Sequence, residues 1–340
     1  MNDPVTRMLE LFWHPVCTRA ELAASAPHPH AVELLGRRLA VAELGGTVVA
    51  MTDRCPHRST RLSVGWVEGD SVRCAYHGWR YAADGSCVEI PSTPDGPLPV
   101  GPCAETFAAA LAYDLVWVRL DAAAATAIPA NPAWDEPAMH VAAGKPYTWP
   151  TSALRRVENF VDLAHFAWVH DGTLGRRDEP VPPIPQVARV DGELRFHYDP
   201  PDMAVQPEAL FGFSAYRMPV PCTVDIEFEL ASGARRHLWM TASPLDSGRC
   251  RAFWFVSRDD DTEGDDAAHL AFQQVILDED QPVVSNQDPP ELVLDPGFEL
   301  SVRTDRVSIE YRRWLRELVD AAARGADAVG AVLRDTAPVP

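Results

Sequence analysis

The sequence predicts an α+β protein of two domains, and three observations carry that expectation. The chain has 340 residues, more than a single core of ordinary size takes up, so two domains are expected rather than one or three. Between Val32 and Pro102 short apolar-polar alternations are broken by turn residues, the mark of a small all-β module. After Pro150 a helical segment is followed by longer alternating runs and then by an amphipathic helix, which suits an antiparallel sheet with one face covered by helices.

Taken in order, the strand candidates of the first domain are Val32-Glu33-Leu34-Leu35, Leu39 to Leu44 and Thr47 to Met51, with Gly45-Gly46 as a hairpin turn and Asp84-Gly85 as a second one. The stretch from Ala122 to Pro150 is rich in Ala and Pro with little periodicity, so the boundary is placed there, with domains over 1–125 and 126–340. Cys222 to Leu230 and Arg251 to Val256 alternate as strands. Val307, Tyr311, Trp314, Leu315, Leu318, Val319 and Ala322 recur at helical spacing, so this helix should pack on the sheet, its aromatics as core.

Composition narrows the function. Hydrophobic residues make up 46% and charged residues 23%, an ordinary globular balance with no apolar run long enough to span a bilayer. The segment Met1 to Arg7 lacks the basic and apolar regions of a secretory signal, so the cytoplasm is expected. A formal charge of -19 argues against nucleic acid or an anionic membrane as partner, since both call for clustered Lys and Arg. Seven cysteines, an odd number, argue against a disulfide framework.

Cys55-Pro56-His57 is followed after sixteen residues by Cys74-Ala75-Tyr76-His77, so each of two loops offers one thiol and one imidazole. Two thiolates on one iron and two imidazoles on the other hold a [2Fe-2S] cluster of raised potential. A zinc ion could also take two Cys and two His, but zinc fingers usually pair Cys with Cys and His with His. Asp53-Arg54 and Arg58 around the first loop, and Gly78-Trp79-Arg80-Tyr81 after the second, resemble the Rieske domains of ring-hydroxylating and demethylating oxygenases. Trp79 is expected to fill core beside the cluster.

Asn159, Asp162 and His165 stand at three-residue intervals, near one face of a helix, and His170 follows five residues after His165. Five residues turn an ideal helix by roughly 140°, so both imidazoles reach one metal only if the helix distorts or ends between them; Asp171-Gly172 offers such an end. Two His and a carboxylate on one face of Fe(II) leave positions open for O2 and substrate.

Asn-x-x-Asp-x-x-His-x4-His, downstream of the two Cys/His loops, resembles the catalytic segment of Rieske non-haem iron oxygenases, and the likeness runs from Phe12-Trp13-His14-Pro15-Val16 to the C-terminal helix. It implies that Cys55, His57, Cys74 and His77 bind the Rieske [2Fe-2S] cluster, and that His165 and His170 hold a mononuclear Fe(II) with O2 as cosubstrate. Matching Glu279-Asp280-x-x-Val283-Val284 to the family segment selects Asp280 as third ligand, with Asp278 the alternative; Ser285, where Glu is common, and Pro282 depart from the pattern. Asn159 and Asp162 are carried over as catalytic residues. Asp162 would bridge His165 and the His77 of a neighbouring subunit in a head-to-tail homotrimer. The implied fold is an all-β Rieske domain followed by an antiparallel-sheet, helix-grip (START-like) catalytic domain.

The shortness of the chain is most similar to the O- and N-demethylase and hydroxylase subgroup that includes the dicamba and vanillate O-demethylase oxygenases. Monooxygenation of a small aromatic or cyclic substrate is therefore expected, with cis-dihydroxylation as the alternative. No nucleotide-binding fingerprint is present, so electrons must come from a separate NAD(P)H-dependent reductase or a ferredoxin. Rival classes are a Rieske electron carrier joined to a ligand-binding sheet, and a zinc protein. Phe211, Phe213, Tyr216, Trp239, Phe253 and Phe255 are candidates for the substrate pocket, although alternating aromatics in a sheet are more often core.

Overall fold

A computed structural model describes residues 3–124, 126–198, 211–230, 232–335 and 337–338. The chain divides into two compact units, Leu9–Ile128 and Met1–Met8 with Pro129–Pro340. A short helix, α1 (Pro4–Leu9), comes first.

In the unit of residues 9–128, β1 (His14–Thr18), β2 (His30–Leu34), β3 (Arg37–Leu44), β4 (Thr47–Thr52), β9 (Thr106–Ala112) and β10 (Leu115–Arg119) form a six-stranded sheet in the order β1-β10-β9-β4-β3-β2. Between β4 and β9 the chain builds a second sheet from β5 (Trp66–Glu68), β6 (Ser71–Arg73), β7 (Arg80–Ala82) and β8 (Cys87–Glu89), in sequence order. The expected hairpins form. Gly45 and Gly46 both have positive φ, 58° and 82°, the backbone of the two-residue turn that matches strand twist. Gly85 (φ 81°) sits so close to its neighbour that a Cβ would lie 2.0 Å from the carbonyl oxygen of Ala104. Helix α2 (Arg19–Ser25) starts on a capping box in which Thr18 accepts from the Glu21 amide while Glu21 reaches back to the Thr18 amide.

The unit of residues 129–340 centres on a nine-stranded sheet. Its strands are β11 (His140–Ala143), β12 (Tyr147–Trp149), β13 (Val187–Val190), β14 (Glu193–Tyr198), β15 (Phe211–Val220), β16 (Thr223–Leu230), β17 (Arg235–Pro244), β18 (Cys250–Arg258) and β19 (Ala337–Pro338). The order is β11-β18-β17-β16-β15-β14-β13-β19, with β12 also paired to β18. Two of these strands lie in the Ala- and Pro-rich stretch that the sequence left without elements. Their identity is set by pairing on the exposed edge of β18, Tyr147 opposite Ala252 and His140 opposite Arg258, and local pattern does not report such a partner.

Pairing is in continuous register across β16, β17 and β18, so side chains alternate between two faces by residue parity. Even-numbered residues face the helices. Arg258 donates to Asp266, the first residue of α5 (Asp266–Val284), at 2.8 Å. Val224, Ile226, Leu238, Met240, Ala242, Ala252 and Trp254 lie on this face and are buried. Helix α3 (Ala153–Val161) buries Leu154, Val157 and Val161, and α6 (Arg306–Arg324) buries Val307, Tyr311, Trp314, Leu315 and Leu318 as its periodicity predicts. The odd face is covered by a strap: Trp239 donates to the carbonyl of Ala130 at 3.0 Å and Phe255 meets Trp134 edge-on. Among the described residues, no helix is long and apolar enough to cross a membrane.

Candidate cluster and metal sites

Cys55 and His57 lie on the loop after β4, Cys74 and His77 on the loop after β6. Each loop closes on itself through its backbone: the Cys55 amide donates to Thr60 and Ser59 to Cys55, the Cys74 amide to Trp79 and Gly78 to Cys74. Gly78 has a φ of 72°, which a left-handed turn reserves for glycine. The cysteines are buried and belong to the core with Leu62, Val72, Tyr81 and Ile90, while His57 is half-buried and His77 exposed.

The four side chains sort by chemistry. The thiols of Cys55 and Cys74 interact, and burial is the largest influence raising the Cys74 thiol above its ordinary value. The imidazoles of His57 and His77 lie 4.6 Å apart by centroid. Among the described residues, the group of three or more His, Cys, Asp or Glu ligand atoms within 4.8 Å of one another is a different one, His165, His170 and Asp280. A tetrahedral zinc needs all four ligand atoms within ~4 Å, so sulfur paired with sulfur and nitrogen with nitrogen suits two metal ions better than one. The buried Nδ1 of His57 has no hydrogen-bond partner, as a nitrogen awaiting a metal would be. Trp79, expected to fill core, is half-buried and packs against it, stacking on His57 at 4.6 Å and 12°. The hydroxyl of Tyr81 is 3.2 Å from the Cys55 sulfur.

The second site is carried by α3, α5 and a turn. Helix α3 ends earlier than expected. Asp162 leaves helical geometry (ψ 127°) and its Oδ1 accepts from the Ala164 amide at 2.9 Å, a local turn that competes with the next helical turn. His165 then begins, and His170 ends, the single turn α4 (Phe166–Val169). The break thus falls before His165 rather than between the two histidines. Both rings converge on one carboxylate: His165 Nε2 lies 3.4 Å and His170 Nε2 3.2 Å from Asp280 Oδ1.

Asn159 donates to the same oxygen at 3.2 Å. Asp162 Oδ2 lies 3.4 Å from His165 Nδ1, near but without hydrogen-bond alignment. Asp278 is exposed and accepts from Gln274 at 2.8 Å, so the structure brings Asp280, not Asp278, to the histidines. Burial opposes charge on Asp280, yet hydrogen bonds from both histidines and the nearby Arg156 outweigh it and hold the carboxyl well below its usual range. Burial would lower His165, but Asp162 and Asp280 overcome it, and its pKa is pushed up to about 9.

Two residues at this site escaped the sequence reading. Glu279 accepts from His170 Nδ1 at 2.7 Å and from Thr173 at 2.8 Å, an arrangement that fixes a metal-binding imidazole's tautomer. Its position beside Asp280 was visible, its role was not. Arg156 lies fully buried on α3 with a nitrogen 3.7 Å from Asp280 Oδ2. A cavity of about 300 Å³ opens beside the site, with Asn159, Asp162, His165, Asp280, Glu299 and Arg312 among its lining.

Of the aromatics weighed as pocket or core, the described ones are core. Trp239, Phe253 and Phe255 stand on the odd face, away from the helices that carry the candidate metal site, because period-two alternation separates two faces without saying which one the helices cover. Tyr216 pairs with Ile226 on the helix-covered face and stacks on Phe196. The side chains of Phe211 and Phe213 lie outside the described residues.

Residues 12–107 match the Rieske [2Fe-2S] domain family and residues 149–321 the vanillate O-demethylase oxygenase C-terminal domain family. The chain therefore belongs to the Rieske non-haem iron oxygenases, which use a [2Fe-2S] cluster and a mononuclear iron to activate O2, here for monooxygenation with electrons from a separate reductase. It is 40% identical over 333 residues to methylxanthine N1-demethylase NdmA of Pseudomonas putida, covering 96% of this chain and 94% of that protein. With methylxanthine N3-demethylase NdmB of the same species it shares 43% over 331 residues, 94% and 92% of the two chains. The solved structure of Pseudomonas putida CBB5 NdmA with caffeine matches at a TM-score of 0.93 and 38% identity over 99% of both chains.

Proposed function

We propose that this oxygenase removes an N-methyl group from a methylxanthine-like purine, releasing it as formaldehyde. The observation that carries the reading is the convergence of His165, His170 and Asp280, within 4.8 Å, in a chain alike over nearly its whole length to two methylxanthine N-demethylases. His165, His170 and Asp280 would hold the mononuclear iron, while Cys55, Cys74, His57 and His77 hold the cluster. The bound metals supply electron storage and dioxygen activation. Glu279 orients His170, and Asn159 steadies the Asp280 oxygen that faces the rings.

We assign residues 1–125 to cluster binding and 126–340 to catalysis. The working assembly would be a head-to-tail homotrimer, in which His77 of one subunit, exposed in this chain, approaches Asp162 of the next. Ring closure of such a heterologous contact yields threefold symmetry. The substrate test is incubation of caffeine, theophylline and theobromine with the enzyme, NADH and a surrogate reductase, scored for formaldehyde and for the demethylated product. Formaldehyde in equal yield with one demethylated xanthine is expected; oxidation of NADH with all three purines untouched would sink the substrate assignment.

Once Cys55 is a thiolate, the Tyr81 hydroxyl donates to its sulfur, and hydrogen bonds to cluster ligands raise the potential. Tyr81→Phe is expected to lower the cluster midpoint by on the order of 60–120 mV, one to two tenfold steps of a one-electron couple. An EPR-monitored redox titration reads it, and an unchanged midpoint would remove Tyr81 from the set of tuning groups.

A further inference from the structure

The guanidinium of Arg156 is wholly buried on α3, a poor place for a cation unless something there needs its charge. Three aromatic rings enclose it, Trp149 at 4.7 Å, Phe160 at 4.9 Å and Tyr147 at 5.8 Å, faces that favour a cation. Its Nε donates to the Tyr147 hydroxyl at 2.7 Å and its Nη1 to the Asn159 side-chain oxygen. The buried Nη2 has no hydrogen-bond partner. Among the described residues, the carboxylate facing it is Asp280, and the approach is a single 3.7 Å contact to Oδ2 rather than the paired fork common between Arg and carboxylate.

The two oxygens of Asp280 are therefore divided. Oδ1 faces both histidine nitrogens and Asn159, and Oδ2 faces the buried cation. We infer that Arg156 is a positioning residue for Asp280 whose charge, with iron held by that carboxylate, would bias the metal toward its ferrous state. A positive charge behind the ligand draws electron density away from the carboxylate and opposes a more highly charged metal; little water intervenes to screen it. Asn159 couples the two ends, accepting from Arg156 while donating to Asp280.

This inference rests on Asp280 being an iron ligand, and the test separates the two claims. Iron-loaded Arg156→Gln and Arg156→Lys holoenzymes are compared with wild type by redox titration of the high-spin ferric EPR signal, alongside the iron to labile-sulfide ratio of Asp280→Ala. Loss of the charge in Arg156→Gln is expected to shift the ferrous/ferric equilibrium about 100-fold toward ferric, a midpoint lower by about 120 mV at 59 mV per tenfold. Arg156→Lys, which keeps the charge, should stay within about tenfold of wild type. If the Gln variant does not fold, Arg156→Met, which fills the aromatic cage, takes its place. Equal midpoints in the neutral and Lys variants would overturn the inference while leaving Asp280 a ligand. Retention of the mononuclear iron by Asp280→Ala would overturn the ligand assignment, and the inference with it.

Discussion

Asp280→Ala is expected to abolish turnover and to remove the mononuclear iron while the cluster stays. The carboxylate is the point on which both imidazoles converge, at 3.4 and 3.2 Å, and its removal leaves them without the one anionic group of the candidate site and leaves the buried Arg156 without the carboxylate it faces. Losing even a group that merely orients a ligand costs about 10–100-fold in metal affinity, so loss of a ligand should exceed that and empty the site at micromolar iron. The measurement is the ratio of iron to labile sulfide, which should fall from about three to two toward two to two, with the visible spectrum of the cluster unchanged. Asp278→Ala is the control. Its side chain is exposed and bonded to Gln274, and such a change should move stability by no more than about 0.5 kcal/mol. An Asp280→Ala enzyme with full iron would place the third ligand elsewhere.

Asp162→Asn is expected to slow electron delivery to the iron by orders of magnitude without disturbing structure. The substitution suits the local geometry: one oxygen of Asp162 caps the turn through the Ala164 amide, and asparagine keeps an oxygen for that bond. The other oxygen, 3.4 Å from His165 Nδ1, becomes an amide nitrogen that neither accepts a proton nor carries charge. Assembly mass, cluster spectrum and iron content should match wild type. Stopped-flow oxidation of the reduced cluster, with substrate and O2 present, isolates the affected step. A wild-type rate in that experiment would show that electrons do not cross at Asp162.

Much of this was legible in the chain because it is written in local chemistry. Gly45-Gly46 dictates its hairpin through backbone freedom, the heptad-like spacing around Trp314 dictates a buried helix face, and two short loops each bearing a cysteine and a histidine announce a cluster. What stayed hidden depends on partners distant in sequence. The stop at Asp162 is a choice between a helical bond and a side-chain turn that many Asp residues face. Glu279 is one acid among several until His170 is known to point at it. Arg156 reads as one half of an ordinary Arg155-Arg156 pair, though its neighbour reaches Glu299 and it alone reaches Asp280. Strands β11 and β12 exist because β18 offers them an edge.

The parity of the sheet has a consequence for where a substitution in it is felt. In β16, β17 and β18, even positions such as Ile226, Leu238 and Met240 look toward the helices, and odd positions such as Trp239 and Phe255 are committed to the strap around Ala130 and Trp134. Both sets are core, so a substitution at either parity is felt as packing, but only an even one presses on the helices that carry the candidate iron site. Every second residue of these strands is thereby a lever on that site, and the residue between is a lever on the strap.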